Sequence, residues 1–179
     1  MRNLLIAVTL LFSGSAFGQS QFVNETVGML TYNSGHVIQL AEAIPADKYS
    51  WTPEEGVRNV AQVCGHIISA NYFFAMKMGA TLPEGVNPQT IEQELTTKEQ
   101  VVPALKKSYE VLFEGIKSTT DEALAQKVEF PFPGEYTTMS AILIAMNHSY
   151  EHMGQLVAYG RMNGITPPWS QKPEGESGE

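Results

Sequence analysis

Four segments of the chain repeat apolar side chains every three or four residues. They run from about 21 to 43, 59 to 78, 96 to 116 and 138 to 164. Residues at this spacing lie on one side of a helix, so each segment has one side that can be buried. Four such helices bury their apolar sides by packing together. The pattern therefore predicts an all-α fold, a four-helix bundle.

The segments between these predicted helices contain residues that interrupt helices. Residues 79–88 include two prolines and two glycines, and this length suits a long crossover between the second and third helices. Residues 128–136 include Pro131, Pro133 and Gly134 and cannot be helical throughout. We expect this segment to be a loop anchored by aromatic side chains. One short helical turn is expected at about 119–125, and no segment predicts a strand.

The two ends of the chain differ from the predicted bundle. Residues 1–18 combine Arg2, an apolar run at 4–12 and the small residues Ala16 and Gly18, a pattern typical of a signal peptide cleaved before Gln19. The apolar run is shorter than the roughly 20 residues that span a bilayer. Residues 170–179 have little to bury and predict a disordered tail. We therefore expect an exported protein, periplasmic or secreted, with a bundle domain at 19–169 and no stable membrane anchor.

Charge and cysteine content narrow the function classes. The chain carries a formal net charge of −8 at pH 7. Nucleic-acid phosphates would repel such a chain, so a nucleic-acid partner is not expected. Cys64 is the only cysteine and lies in an apolar part of the second predicted helix. No intramolecular disulfide can form, and we expect a buried, unreactive thiol.

The fourth predicted helix carries a candidate metal site. His148 and His152 lie four residues apart, which puts both imidazoles on one side of a helix where they can bind a common ion. A catalytic zinc-type site needs three protein ligands and keeps one position open for water or substrate. His66, near the middle of the second helix, is the preferred third ligand, because bundles build metal sites from facing helices. His36, on the first helix, is the alternative.

Two other interpretations of these histidines stay open. The segment from His148 to His152 has the H-x-x-E-H spacing of inverted zinc peptidases, in which Glu151 would be the general base. Such enzymes take a further acidic ligand well downstream, and here the acids after His152 all lie in the predicted tail. The second alternative is that the histidines are hydrogen-bonded core residues that bind no metal.

A longer pattern surrounds the histidine pair. The string N-H-S-Y-E-H-M-G-Q-L at 147–156 is followed by Y-G-R-M-N-G-I at 159–165 and by Pro167. Together with the helix that carries His66 and the long crossover, these residues resemble the DinB (DNA-damage-inducible) family, whose superfamily includes the bacillithiol and mycothiol S-transferases. The resemblance covers nearly all of residues 19–169.

The resemblance implies a fold and a site. The fold is a four-helix bundle that forms a homodimer and binds a divalent metal cation through His66, His148 and His152, with water completing the shell. Gln155 would support the ligands or pack beside them. Zinc, nickel, iron and manganese all accept imidazole ligands, so the sequence leaves the identity of the metal open.

The resemblance also implies a type of chemistry. Characterised relatives use the metal to lower the pKa of a thiol, whose thiolate then attacks an electrophile or an isomerisable substrate. We therefore expect a divalent-metal-dependent thiol S-transferase or hydrolase that acts on a small molecule, and we assign no catalytic residue beyond the ligands. Predicted export sets this chain apart, because the thiol cofactors of the relatives are cytoplasmic. The alternative is a non-catalytic metal-binding or interaction module with the same fold.

Overall fold

The computed structural model describes residues 20–171. Two short helices and two 3-10 turns, at Ala46–Lys48 and Pro168–Ser170, accompany four long helices. The predicted all-α four-helix bundle is confirmed. In chain order the helices are α1 (Gln21–Ala43), α2 (Val60–Lys77), α3 (Ile91–Glu94), α4 (Lys98–Ser118), α5 (Asp121–Leu124) and α6 (Thr138–Met162).

Side-chain caps begin the two helices that carry the candidate ligands. Before α2, Asn59 accepts a hydrogen bond from the backbone N–H of Gln62 at 2.8 Å, and the Gln62 side chain accepts one from the N–H of Asn59 at 3.0 Å. Thr137 and Ser140 cap α6 in the same reciprocal way. Such caps pair backbone groups that a helix end leaves without partners, so they fix where each helix starts.

The long helices form a ring in which α4 and α6 each pack between α1 and α2. Helices α2 and α4 run parallel, because Asn71 bonds to Ser108 and, further along both helices, Ala75 approaches Gly115. Helices α2 and α6 run antiparallel. A chain that leaves α2 and enters a parallel α4 must first run back along the bundle. The predicted long crossover between these two helices is therefore confirmed.

Small elements lie within the predicted loops. The crossover contains α3. Helix α5 confirms the expected short turn. After α5, a pair of two-residue strands closes the loop at 129–135. These strands, β1 (Lys127–Val128) and β2 (Tyr136–Thr137), are antiparallel. The expectation that no strand forms was wrong here, because a two-residue pair is too short to show alternation of apolar and polar residues.

A chain of buried polar side chains, the core polar chain, crosses the bundle through Asn33, Ser149 and Tyr109. The Ser149 hydroxyl donates to Asn33 Oδ1, so the Tyr109 hydroxyl is the donor in its 2.6 Å hydrogen bond with Ser149 Oγ. Beside it, Asn71 Nδ2 donates to Ser108 Oγ at 3.0 Å. Every buried side-chain nitrogen and oxygen within residues 20–171 has a partner. The core polar chain therefore links α1, α6 and α4 without leaving an unpaired polar atom.

Cys64 is buried, as predicted, and burial raises the pKa of its thiol to about 12. Within residues 20–171 no helix is both long and apolar enough to cross a membrane. The predicted signal peptide lies outside the described residues. The predicted disordered tail lies outside the described residues from residue 172 onward. Its first residue, Ser170, is the last residue of the second 3-10 turn.

Candidate metal centre

Three histidines from two antiparallel helices meet at one point of the bundle. His148 Nε2 lies 3.0 Å from His66 Nε2 and 3.1 Å from His152 Nε2. Tetrahedral nitrogen ligands at Zn–N distances of about 2.0–2.1 Å are themselves about 3.3 Å apart. Two of the three nitrogen pairs are thus spaced nearly as they would be around one ion, and all three ligand atoms lie within 4.8 Å of one another.

A hydrogen-bonded chain sets the tautomer of His152. The Tyr159 hydroxyl donates to the backbone oxygen of Arg58 at 3.0 Å, so its oxygen accepts from the amide nitrogen of Gln155 at 3.1 Å. That orientation points Gln155 Oε1 at His152 Nδ1, 2.8 Å away. Because a carbonyl oxygen can only accept, Nδ1 carries the proton and Nε2 keeps its lone pair. His152 is therefore held in the form that binds a metal through Nε2.

The crossover places the carboxylate of Glu92 near Nδ1 of His66. Glu92 Oε2 lies 3.8 Å from His66 Nδ1, and Glu92 Oε1 accepts a 2.8 Å hydrogen bond from Arg58 Nε. This position depends on Gly65, because a Cβ on that residue would lie only 2.9 Å from the Cα of Glu92. Glu92 thus adjoins the side of His66 opposite to its Nε2, where carboxylates orient metal-binding imidazoles.

The surroundings keep two of the histidines neutral. Burial, followed by the nearby His152 and His66 rings and by Arg58, lowers the pKa of His148 to about 3. Burial and Arg58 also lower the pKa of His66, against smaller opposing effects of Glu92 and other charges. Both imidazoles are therefore uncharged at pH 7, and a neutral imidazole is the form that ligates metals.

The chemistry of this cluster fits a divalent cation with an open position. Among residues 20–171, the cluster of potential ligands contains His66, His148 and His152 and no cysteine, aspartate or glutamate as a fourth member. His66 and His148 are partly exposed, whereas His152 is buried. The site is therefore closed at His152 and open beside His66 and His148, as a three-ligand site with room for a small molecule requires.

Two cavities adjoin the histidines. The first, the apolar cavity, has a volume of about 570 Å³ and is lined by side chains of α2 from His66 to Met76, by residues 87–89, by Pro131 and by His148. The second, the polar cleft, has a volume of about 750 Å³ and is lined by residues 56–58, Gln62, Glu92 and Gln155. Of these two cavities, the apolar cavity is the one that has candidate metal ligands, His66 and His148, in its wall.

His36 and Glu151 are not members of the cluster of potential ligands. His36 stacks on Trp169 with ring centroids 4.1 Å apart, and the Tyr32 ring meets it edge-on, so His36 belongs to an aromatic cluster away from the other histidines. Glu151 is exposed on α6. Glu92 is the carboxylate whose oxygen adjoins a ligand nitrogen, and the sequence offered no signal for it, because it is placed by the packing of α3 on α2.

Comparison with known sequences assigns a family. The model of the DinB superfamily matches residues 30–156. The uncharacterized protein YjoA of Bacillus subtilis is 28% identical over 131 residues, which cover 72% of this chain and 82% of that protein. Residues 30–156, which the family model matches, contain all three clustered histidines.

Solved structures share the fold. A DinB-like protein from Bacillus cereus superposes with a TM-score of 0.69 at 18% identity, covering 81% of this chain and 95% of that one. A histidine-to-alanine mutant of the mycothiol-dependent maleylpyruvate isomerase superposes with a TM-score of 0.62 at 12% identity, covering 87% of this chain and 68% of that one. At these identities the likeness concerns the fold.

Proposed function

The chain belongs to the DinB superfamily, and from this premise we propose that it is a divalent-metal-dependent enzyme, a thiol S-transferase or hydrolase that acts on a small molecule. The observation that carries the proposal is the convergence of the Nε2 atoms of His66, His148 and His152 beside a cavity large enough for a ligand. A purely structural site would be closed by a fourth protein ligand.

In this proposal the residues of the site have separate roles. His66, His148 and His152 would hold the cation, and Gln155 keeps the Nε2 lone pair of His152 free. A bound divalent cation lowers the pKa of a water or thiol on it, which becomes a nucleophile near neutral pH. Glu92, whose Oε2 lies 3.8 Å from Nδ1 of His66, adds a negative charge on that side of the ring.

The nucleophile in this proposal comes from outside the chain. Cys64 is the only cysteine, it is completely buried, and its thiol has a pKa of about 12. The candidates are therefore a small thiol and water. The shared fold of a mycothiol-dependent isomerase supports the thiol, whereas predicted export, away from cytoplasmic thiols, supports water and hydrolysis.

The test is the metal content of the mature protein, purified without a histidine tag or added metal. We expect about one equivalent of metal per chain, which the His148→Ala/His152→Ala double variant loses. His36→Ala is the matched control and retains the metal, because His36 lies outside the cluster. Circular dichroism establishes that each variant is folded.

The outcome directs the activity assays. A protein that contains metal is then assayed for transfer of small thiols to electrophiles and for hydrolysis, before and after removal of the metal with a chelator. Absence of metal in the wild-type protein, even after reconstitution, would contradict the proposal, and the histidines would then be core residues of a binding module.

The homodimer and the export expected from the sequence remain predictions. Exposed apolar side chains on α1 and α6, including Met29, Tyr32 and Leu143, offer a surface that a second copy can cover. Light scattering on the purified protein measures its mass in solution. Sequencing of the N-terminus after expression from the full-length gene tests cleavage before Gln19.

A further inference from the structure

We propose that the apolar cavity binds the uncharged, apolar part of the substrate, with a flat aromatic ring as the best fit, while the reactive group of the substrate faces the three imidazoles. This inference rests on the proposed function and adds the class of substrate that the site accepts. A volume of about 570 Å³ lies within the range of about 300–1,000 Å³ that is usual for small-molecule sites.

Aromatic rings form part of the wall. Phe73 and Phe74 line the cavity, and their ring centroids are 5.4 Å apart in an edge-to-face arrangement. Phe130, from the loop before β2, meets Phe73 at 5.8 Å in the same manner. Aromatic pairs prefer such contacts at centroid distances of about 4.5–7 Å, so a ligand ring can extend the cluster.

The wall continues to the histidines. The Phe74 ring meets the His148 ring at a centroid distance of 6.0 Å, and His66 and His148 both line the cavity. A ligand that fills the cavity therefore has one end beside the nitrogens that would hold the cation. A ligand in which a ring is joined directly, or through one or two atoms, to a metal-binding group can place the ring beside Phe74 and the metal-binding group beside these nitrogens.

Two polar side-chain atoms of the wall already have partners. Ser69 Oγ donates to the backbone oxygen of Pro88 at 2.6 Å, which ties the crossover to α2. Asn87 Oδ1 accepts from the backbone N–H of Gln89 at 3.1 Å. These bonds stabilise the wall, and the atoms that make them do not require polar partners on the ligand.

Among residues 20–171, those that line the apolar cavity include no aspartate, glutamate, lysine or arginine. Lys77 holds its ammonium over the Phe73 and Phe130 rings, 5.0 and 5.7 Å from their centroids, and Glu92 lines the polar cleft. A charged group placed in the cavity would lose its water and would find no oppositely charged side chain among the lining residues. The cavity therefore selects against charge in the part of the substrate that it holds.

The experiment compares three probes that share one metal-binding group: acetohydroxamate, benzohydroxamate and 4-carboxybenzohydroxamate. Each is titrated calorimetrically into the zinc-loaded protein. We expect benzohydroxamate to bind at least about 10-fold more tightly than acetohydroxamate, because it buries a phenyl ring. The 4-carboxylate should abolish this gain.

Two variants in which an alanine is replaced by leucine test whether the preference for benzohydroxamate arises in the apolar cavity. Ala70 lines the cavity one turn beyond His66, so Ala70→Leu fills the cavity without changing a ligand. We expect this variant to keep its zinc and lose the preference for benzohydroxamate. Ala158→Leu, at an exposed position of α6, is the matched control and keeps the preference.

The outcomes separate the two proposals. Zinc bound without a preference for the phenyl ring, or with a preference that persists in Ala70→Leu, overturns the substrate inference and leaves the metal site standing. If zinc does not bind, the proposed function fails, and ¹⁹F NMR of 4-fluorotoluene with the metal-free protein decides the inference. Saturable binding that Ala70→Leu abolishes supports an apolar ligand in this cavity, and no binding overturns it.

Discussion

Gln155 lies less than one helical turn beyond His152 and accepts a hydrogen bond from its Nδ1 at 2.8 Å. The opposite end of the same amide donates to Tyr159, so the amide cannot turn over without breaking both bonds. The imidazole tautomer is thereby determined by a residue that is not itself a member of the ligand cluster. Support of this kind behind a ligand typically changes metal affinity about 10–100-fold.

Replacing Gln155 should weaken metal binding. Gln155→Leu removes the acceptor, and we expect metal affinity to fall about 10–100-fold, measured by competition with a chromophoric chelator. Gln155→Glu keeps an acceptor at the same place and should retain most of the affinity. Equal losses in both variants would show that Gln155 acts only by packing.

Gly65 should tolerate no larger residue, because α3 lies against it. In Gly65→Ala the new Cβ would lie 2.9 Å from the Cα of Glu92, a backbone atom that can move only with α3. We expect the free energy of unfolding to fall by about 1–3 kcal/mol, measured with urea. In Gly28→Ala the Cβ meets nothing within 4 Å, so this control should be unchanged or up to about 1 kcal/mol more stable. Equal stability of the two variants would contradict the close packing of α3.

Ser149 should contribute to stability through its two neighbours. Ser149→Ala leaves Asn33 Oδ1 without its donor and the Tyr109 hydroxyl without its acceptor, both in the buried core. We expect a loss of about 1–3 kcal/mol in the free energy of unfolding. Ser50→Ala, at an exposed position, should change it by less than about 0.5 kcal/mol. A loss no larger than that of the control would mean that the core polar chain adds nothing to stability.

Cys64 should resist alkylation while the protein is folded. Its side chain is completely buried, and burial raises the pKa of its thiol to about 12, so thiolate is scarce and inaccessible at pH 8. We expect iodoacetamide to modify Cys64 only in denaturant, as followed by mass spectrometry. Rapid modification of the native protein would reveal opening of α2 from the core.

The sequence predicted the parts of the site that depend on helical periodicity. The four-residue spacing of His148 and His152 places both on one side of α6 wherever that helix packs. His66 could be preferred over His36 because of its position in the second helix and because of the family resemblance, and the structure brings His66, not His36, to the pair. His36 immediately precedes buried Val37, so it lies about 100° round α1 from the core side.

The remaining parts of the site depend on packing that has no local pattern. Glu92 reaches His66 only because a glycine on another helix lets α3 approach. The wall formed by Pro131 requires the loop at 129–135 to fold back, and the strands that close this loop are two residues long. Such contacts join segments far apart in sequence, and neither segment alone indicates its partner.

The helices supply the histidines and the segments between helices complete the apolar cavity, and this separation has an evolutionary consequence. The three histidines lie on α2 and α6, whereas residues 87–89 and Pro131, which complete the apolar cavity, lie on segments between helices. Mutations in those segments can reshape the cavity while leaving the helices that carry the histidines untouched. Descendants of one ancestral bundle can therefore acquire different substrates by changing their connections, while inheriting the same arrangement of imidazoles.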